Sequence, residues 1–285
     1  MKKNAPHYLS NLIGKPYEFL KESYMLSRLA IVLFALTASL SATATSVSFL
    51  WGDNFREDLG YEEEKLTMTI EHFAVWEKGT VFFYYDITEP MSRDNGDDNQ
   101  FFGGIAPTFS LSKITGKDLS TGWLRDVSIR VELENGSGGG SNSFRNYFYG
   151  LQYDIALPGF DFFSLNTVLR DNPNQSGVGF QIGSYWQMTW DFGPWNHYKF
   201  TGFIATSPWD GNQPREKDQS KNEYMFAERG KFLTAQPQFL WDLGHGLWRK
   251  SNRVELGVEY AYFINRYQIK DKDEKCLQAM VKFSY

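Results

Sequence analysis

Side chains able to hold a polar solute recur on one parity of alternating segments along this chain. The carboxylates are Glu71, Asp86, Glu132, Glu255 and Glu259, the guanidinium groups are Arg130, Arg170 and Arg253, and the rings are Phe82, Tyr84 and Tyr185. An aromatic face stacks on a flat solute, and for a nucleobase that contact contributes about 1–3 kcal/mol. Carboxylates accept hydrogen bonds from hydroxyls and, like guanidinium groups, admit or exclude ions by charge. Burying so many charges is costly unless they pair or meet water. The set therefore reads either as the polar lining of a channel or as a salt-bridged plug filling a narrow barrel.

Other chemistry finds little support. Beyond the N-terminal forty-odd residues the histidines are His72, His197 and His245, and none stands in a Ser/His or Asp/His hydrolytic signature. His72 shares parity with Leu66, Met68 and Ile70, which places it at an interface or strand end, and His245 falls in a Gly244-His245-Gly246 turn. Asn135 to Asn142 is glycine-rich but lacks the Lys-Ser/Thr and helix of a phosphate loop. Arg93 to Asn99 is acidic but has no Glu in calcium-loop register. Cys276 is the only cysteine, so no intramolecular disulfide or thiolate cluster can form. No enzyme activity, metal or cofactor is expected.

The elements that would position these side chains alternate with a period of two. The longest run sets Val254, Leu256, Val258, Tyr260, Tyr262 and Ile264 against Arg253, Glu255, Gly257, Glu259 and Ala261. Similar runs cover Leu66–Ile70, Val81–Ile87, Ile105–Leu111, Val127–Leu133, Tyr147–Ile155, Val178–Ile182 and Leu233–Trp241. Weaker ones lie at Ser46–Trp51, Phe162–Arg170 and Lys199–Ser207, and a last one runs Leu277–Tyr285. Twelve strands are expected, an even number as a closed bacterial barrel requires.

Composition agrees. Aromatics make up 17% of the 285 residues, yet the mean hydropathy is −0.44. Strands that turn apolar side chains to lipid and polar ones to a lumen produce that combination. Aromatics near the expected strand ends, among them Trp76, Trp123, Trp186, Trp190, Trp195, Trp241 and Trp248, suit the two girdles at the membrane interfaces. Connections 88–102 and 208–231 are long, whereas those at Trp76–Gly79, Ala156–Gly159 and Gly193–Trp195 are short; Ile114–Gly122 is longer than that alternation asks. The fold class is an all-β transmembrane antiparallel barrel.

The one continuously apolar segment, Leu29–Leu40, is too short for a membrane helix. Preceded by Arg28 and followed by Ala42-Thr43-Ala44, it reads as a secretory signal cleaved after Ala44, which makes 1–44 the signal and 45–285 the barrel. Met25 would open a signal of ordinary length, so residues 1–24 are expected to lie upstream of the true start. A net charge of −5 argues against a nucleic-acid partner.

Three segments carry a family likeness: Glu71–Ala74 through Val81–Asp86, Pro107–Lys113 with Asp118–Ser120, and Tyr147–Asp154, joined by Ser207–Asp210. Together they resemble the nucleoside-specific channel-forming family of outer-membrane proteins (Tsx-like, including the OmpK branch). The resemblance implies a Gram-negative outer-membrane barrel of about twelve strands that passes nucleosides, with Glu71, Phe82, Tyr84 and Asp86 among its lining residues. It also implies that some members serve as bacteriophage receptors. Lipid and lipopolysaccharide would surround the barrel, and barrel-assembly machinery would read the aromatic-ended strand to Tyr285. The alternative is a plugged barrel whose extracellular loops act as a surface receptor or adhesin.

Overall fold

The computed structural model describes residues 42–56, 62–91, 100–137, 143–173, 175–209, 213–214, 231–266 and 270–285. The expected leader as far as Ser41, the acidic run Arg93–Asn99, most of the glycine-rich stretch and most of 208–231 lie outside them, while Ala42–Ala44, expected as the end of the leader, open the first strand. In chain order the strands are β1 (Ala42–Arg56), β2 (Glu62–Trp76), β3 (Gly79–Thr88), β4 (Phe101–Ser110), β5 (Leu124–Ser137) and β6 (Ser143–Ile155). They continue as β7 (Phe162–Asp171), β8 (Gln175–Ser176), β9 (Val178–Asp191), β10 (His197–Trp209), β11 (Gln213–Pro214), β12 (Leu233–Ala235), β13 (Gln238–Asp242), β14 (Val254–Ile264) and β15 (Glu274–Ser284). Two short helices, α1 (Leu111–Thr115) and α2 (Leu243–Trp248), sit in connections.

Every neighbour in the main sheet is antiparallel, and the sheet closes because β15 pairs with β1 from Ser46↔Ser284 to Gly52↔Gln278. No edge is left for other chains to join. β8 and β11 form a separate two-residue pair outside the wall. β12 and β13 are one stave: both pair with β10 and with β14 in a single register, interrupted at Gln236-Pro237. The wall thus has twelve staves. Proline cannot donate to a ladder, yet pairing resumes at once, with Gln236 N–H donating to Phe203 O at 3.0 Å and Tyr260 N–H to Pro237 O at 3.0 Å.

Both faces of the wall follow from the period of two. Across the register, Ser46, Glu71, Tyr84 and Gly104 lie on one face, as do Arg130, Gly150 and Val168, while Ile70, Tyr85 and Gly103 lie on the other. The burial is inverted relative to a water-soluble protein. Inward-facing Arg130, Glu132 and Glu255 are buried, whereas outward-facing Ile129, Val131, Leu151, Val258 and Leu277 are exposed. An apolar belt around the outside of a closed sheet is what lipid requires, since every backbone group is then satisfied within the wall.

Connections differ between the two ends. At the end holding the termini, the β2–β3 turn is Glu77-Lys78, and Ala156–Asp161 and Phe192–Asn196 link β6 to β7 and β9 to β10. The β4–β5 link, longer than alternation asks, is occupied by α1. Ser110 caps this helix by accepting from Lys113 N–H at 3.1 Å, Gly116 ends it in the left-handed region, and Ser110 Oγ also bonds the Asp126 carboxylate. Beyond it, Ser120 N–H donates to Asp118 at 2.8 Å and holds that exposed carboxyl below its ordinary range. The expected turn at His245 is instead α2, because Asp242 caps it, accepting from His245 N–H and Asn252 N–H at 2.9 and 2.7 Å. The opposite end carries the long connections.

Candidate solute site in the barrel lumen

The inward residues divide the lumen into two chemically different walls. On the β3–β10 side aromatic rings and two guanidinium groups stand out, interspersed with Glu132, Glu134, Asn146 and Gln152. Phe82 and Tyr84, two apart on β3, stack with centroids 5.7 Å apart and planes 22° from parallel. Phe102 from β4 continues the row, 5.7 Å from Tyr84. Gly104 faces the same ring: a Cβ there would lie 3.1 Å from the Tyr84 ring and hydroxyl, so glycine leaves Tyr84 its room. The Tyr84 hydroxyl donates to Glu134 at 3.2 Å, and Glu134 also accepts from Asn146 Nδ2 at 2.5 Å.

Deeper on that wall, Arg130 organises the polar groups. Its Nη2 donates to Glu132 at 2.6 Å and to the Tyr185 hydroxyl at 3.2 Å, and its Nη1 donates to Gln152 at 3.0 Å. The guanidinium carbon stands 5.1 Å from the centre of the Tyr185 ring, a cation–π contact. Phe203 of β10 lies 6.0 Å from Tyr185 and extends the aromatic surface. Arg170, at the long-loop end of β7, contacts Phe148 at 5.9 Å and Phe232 at 5.7 Å from its guanidinium carbon.

The facing wall, from β10 through β15 to β2, is rich in carboxylates and amides. Glu71 accepts from Lys282 Nζ at 2.5 Å and from Ser46 Oγ at 3.1 Å. Lys199 Nζ lies 2.6 Å from Glu255 Oε1 without hydrogen-bond angles, so this is a contact ion pair. Glu259 accepts from three glutamines, Gln236 at 2.9 Å, Gln238 at 2.7 Å and Gln278 at 2.9 Å. Thr69 Oγ1 donates to Asp86 at 2.6 Å. Between the polar groups, Leu50, Leu240 and Met280 form a small apolar cluster, seated over Gly257. A Cβ on Gly257 would fall 2.0 Å from Phe239 O, so only glycine fits there.

Ten of the eleven side chains singled out in the sequence stand on this inner face. Arg253 does not: it precedes β14, is exposed at the termini rim, and donates to Ser284 O at 3.3 Å. The strand starts one residue later, at Val254, so the parity of the run does not reach Arg253. The inner face also holds partners beyond those eleven, chiefly Lys199, Lys282, Glu134, Phe102 and the three glutamines. Lys282 and Glu134 lay on the polar parity of their runs, and that parity was the available signal. The glutamines carry no charge to draw notice, and only the register brings them together around Glu259.

Among the described residues no group of three or more His, Cys, Asp or Glu side chains could hold a metal ion. The arrangement offers flat faces together with hydrogen-bond acceptors and donors to a solute in the lumen. An outer-membrane protein OmpK of Vibrio parahaemolyticus is 24% identical over 268 residues, covering 86% of this chain and 93% of that protein. A second OmpK from the same species is 22% identical over 266 residues, covering 86% and 92%. Among solved structures, a NanC porin is similar at a TM-score of 0.44 with 8% identity, covering 85% of this chain and 99% of that one, and a KdgM porin at 0.43 with 10%, covering 84% and 99%. The family model described as nucleoside-specific channel-forming protein, Tsx, matches residues 53–285. With its closed barrel and inward polar walls, this chain belongs to that family of Gram-negative outer-membrane channels.

Proposed function

We propose that this channel passes nucleosides by passive diffusion, and that the stacked Phe82–Tyr84 pair is where the base slides. The supporting observation is the division of the lumen. Aromatic faces occupy one wall, and paired carboxylates and amides that suit ribose hydroxyls occupy the other. A nucleoside has one flat face and one hydroxylated edge, so it engages both walls at once. Binding must stay weak for the solute to leave, which suits stacking on a ring pair of which Tyr84 is already held by its own hydrogen bond to Glu134. Glu71, Asp86, Arg130, Glu132, Arg170, Tyr185, Glu255 and Glu259 complete the proposed lining, and no cofactor or energy coupling enters.

Conductance of the purified barrel in a planar bilayer tests this. Titrated adenosine or uridine is expected to lower the current in a saturable way. The Phe82→Ala, Tyr84→Ala double variant is expected to need at least about tenfold more nucleoside for the same block, from the loss of one or two stacking contacts. Conducting pores indifferent to every nucleoside would overturn the substrate assignment.

A further inference from the structure

Arg170 is the odd cation of the lumen. Arg130, Lys199 and Lys282 each lie against a carboxylate within 2.6 Å. Arg170 makes no ion pair and no hydrogen bond among the described residues, and its Nε is buried without a partner. The carboxylate that acts on it through space is Glu134, whose two oxygens are already taken by Tyr84 and Asn146. Two π-faces hold the guanidinium in place, Phe148 at 5.9 Å and Phe232 at 5.7 Å. Contacts of that kind stabilise the charge while leaving the in-plane N–H groups unused.

Position adds to this. Arg170 is the penultimate residue of β7 at the long-loop end, and its neighbour on β9 in the register is Gly179, which has no side chain to cover it. The unused edge of a guanidinium is a rigid fork that matches two oxygens of one oxyanion.

We propose that Arg170 is an oxyanion-docking site at the long-loop mouth of the lumen, and that its ligand is the phosphate monoester of a free solute. This rests on the nucleoside reading and deepens it: the barrel captures nucleoside monophosphates as well as nucleosides, phosphate held at Arg170 and base on the aromatic wall. The side chain is on the lumen face, so the phosphates of lipopolysaccharide on the outer surface do not reach it. Among the described lumen acids, Glu132, Glu71 and Glu255 are paired with Arg130, Lys282 and Lys199, while Asp86, Glu134 and Glu259 are held by neutral hydrogen-bond donors. A phosphate at the mouth therefore meets, among the described residues, a cation whose fork is not taken by a carboxylate.

The experiment compares adenosine 5′-monophosphate with adenosine as blockers, and titrates inorganic phosphate into the detergent-solubilised barrel by calorimetry in a phosphate-free buffer. In the unmodified protein the monophosphate is expected to block at about tenfold lower concentration than adenosine, the scale of one charge-assisted contact. Arg170→Gln is expected to erase that advantage and abolish the phosphate heat. Arg170→Lys, which keeps the charge but loses the fork, is expected to restore part of each. Retained β-signature by circular dichroism and a conducting pore show that each variant has folded. A monophosphate no better than adenosine overturns the proposal while leaving the nucleoside channel standing, as does an advantage that survives Arg170→Gln. If no nucleoside blocks, the nucleoside reading fails, and the phosphate heat alone decides whether Arg170 binds an oxyanion.

Discussion

Arg130 and Glu132 lie two residues apart on one strand, 2.6 Å from each other, with side chains almost wholly out of solvent at 6% and 10% exposure. A buried pair of this kind offsets two desolvation costs, and its net contribution to stability is small compared with the harm of leaving one member alone. Arg130 also donates to Gln152 and Tyr185, so its loss strands acceptors on three staves. Arg130→Met is therefore expected to destabilise the folded barrel by about 3–5 kcal/mol. The double variant Arg130→Met, Glu132→Leu should recover much of that, because no uncompensated carboxylate remains. Urea titrations of the protein in lipid vesicles check this. A double variant as unstable as the single one would mean that the Gln152 and Tyr185 contacts, and not the charge pair, set the cost. Tyr84 differs in kind, since its hydroxyl serves Glu134 while its ring stays open to stacking, which separates structural from binding effects within one side chain.

At the level of elements, alternation carried most of the information. Each run with a clear period of two, from Leu66–Ile70 to Val254–Ile264, became a stave with the expected face inward. The weaker candidates at Ser46–Trp51, Phe162–Arg170 and Lys199–Ser207 did as well, inside longer strands. What alternation could not show was local hydrogen bonding that creates exceptions. Helices α1 and α2 arise from single caps, Ser110 and Asp242, in short segments with no helical period to detect. The shift of the β1–β2 ladder between Gly52 and Phe55, with Asn54 at φ 63°, likewise leaves no mark in the hydrophobic pattern. Site partners were hidden for a related reason: Lys282 and Glu71 are 211 residues apart, and only barrel closure through β1 sets them side by side.

The interrupted stave yields a prediction of its own. Gly202 faces Pro237 across the β10 ladder at φ 150°, and a Cβ there would sit 2.4 Å from Gln236 O. Both the backbone angle and the close approach demand glycine. Gly202→Ala should therefore slow and weaken docking of β12–β13 on β10, costing about 1–3 kcal/mol, whereas Pro237→Ala should be nearly neutral. The fraction of heat-modifiable barrel on gels after refolding reads both. Equal refolding of Gly202→Ala and the parent would show that the wall relaxes around this junction without cost.

For the molecule as a whole, the decisive feature is the inverted burial: charges inside, branched and aromatic side chains outside. Outward exposure of Val131, Leu169 and Leu277 would be an aggregation hazard in water and is a stabilising contact in lipid. The asymmetry of the two ends then fixes orientation. Outer-membrane barrels carry short turns on the periplasmic side and long loops outside, so the rim with Glu77-Lys78, α1 and α2 faces the periplasm. The β3–β4 connection beginning at Glu89 faces the medium. Single cysteines test this with little background, because the native Cys276 is fully buried between β1 and β14. Met91→Cys, at a position 75% exposed, should react in intact cells with a membrane-impermeant maleimide. Glu77→Cys, with the parent side chain 78% exposed, should react only after the outer membrane is permeabilised. Labelling of Glu77→Cys in intact cells, with Met91→Cys silent, would reverse the orientation and move Arg170 from the entrance of the channel to its exit.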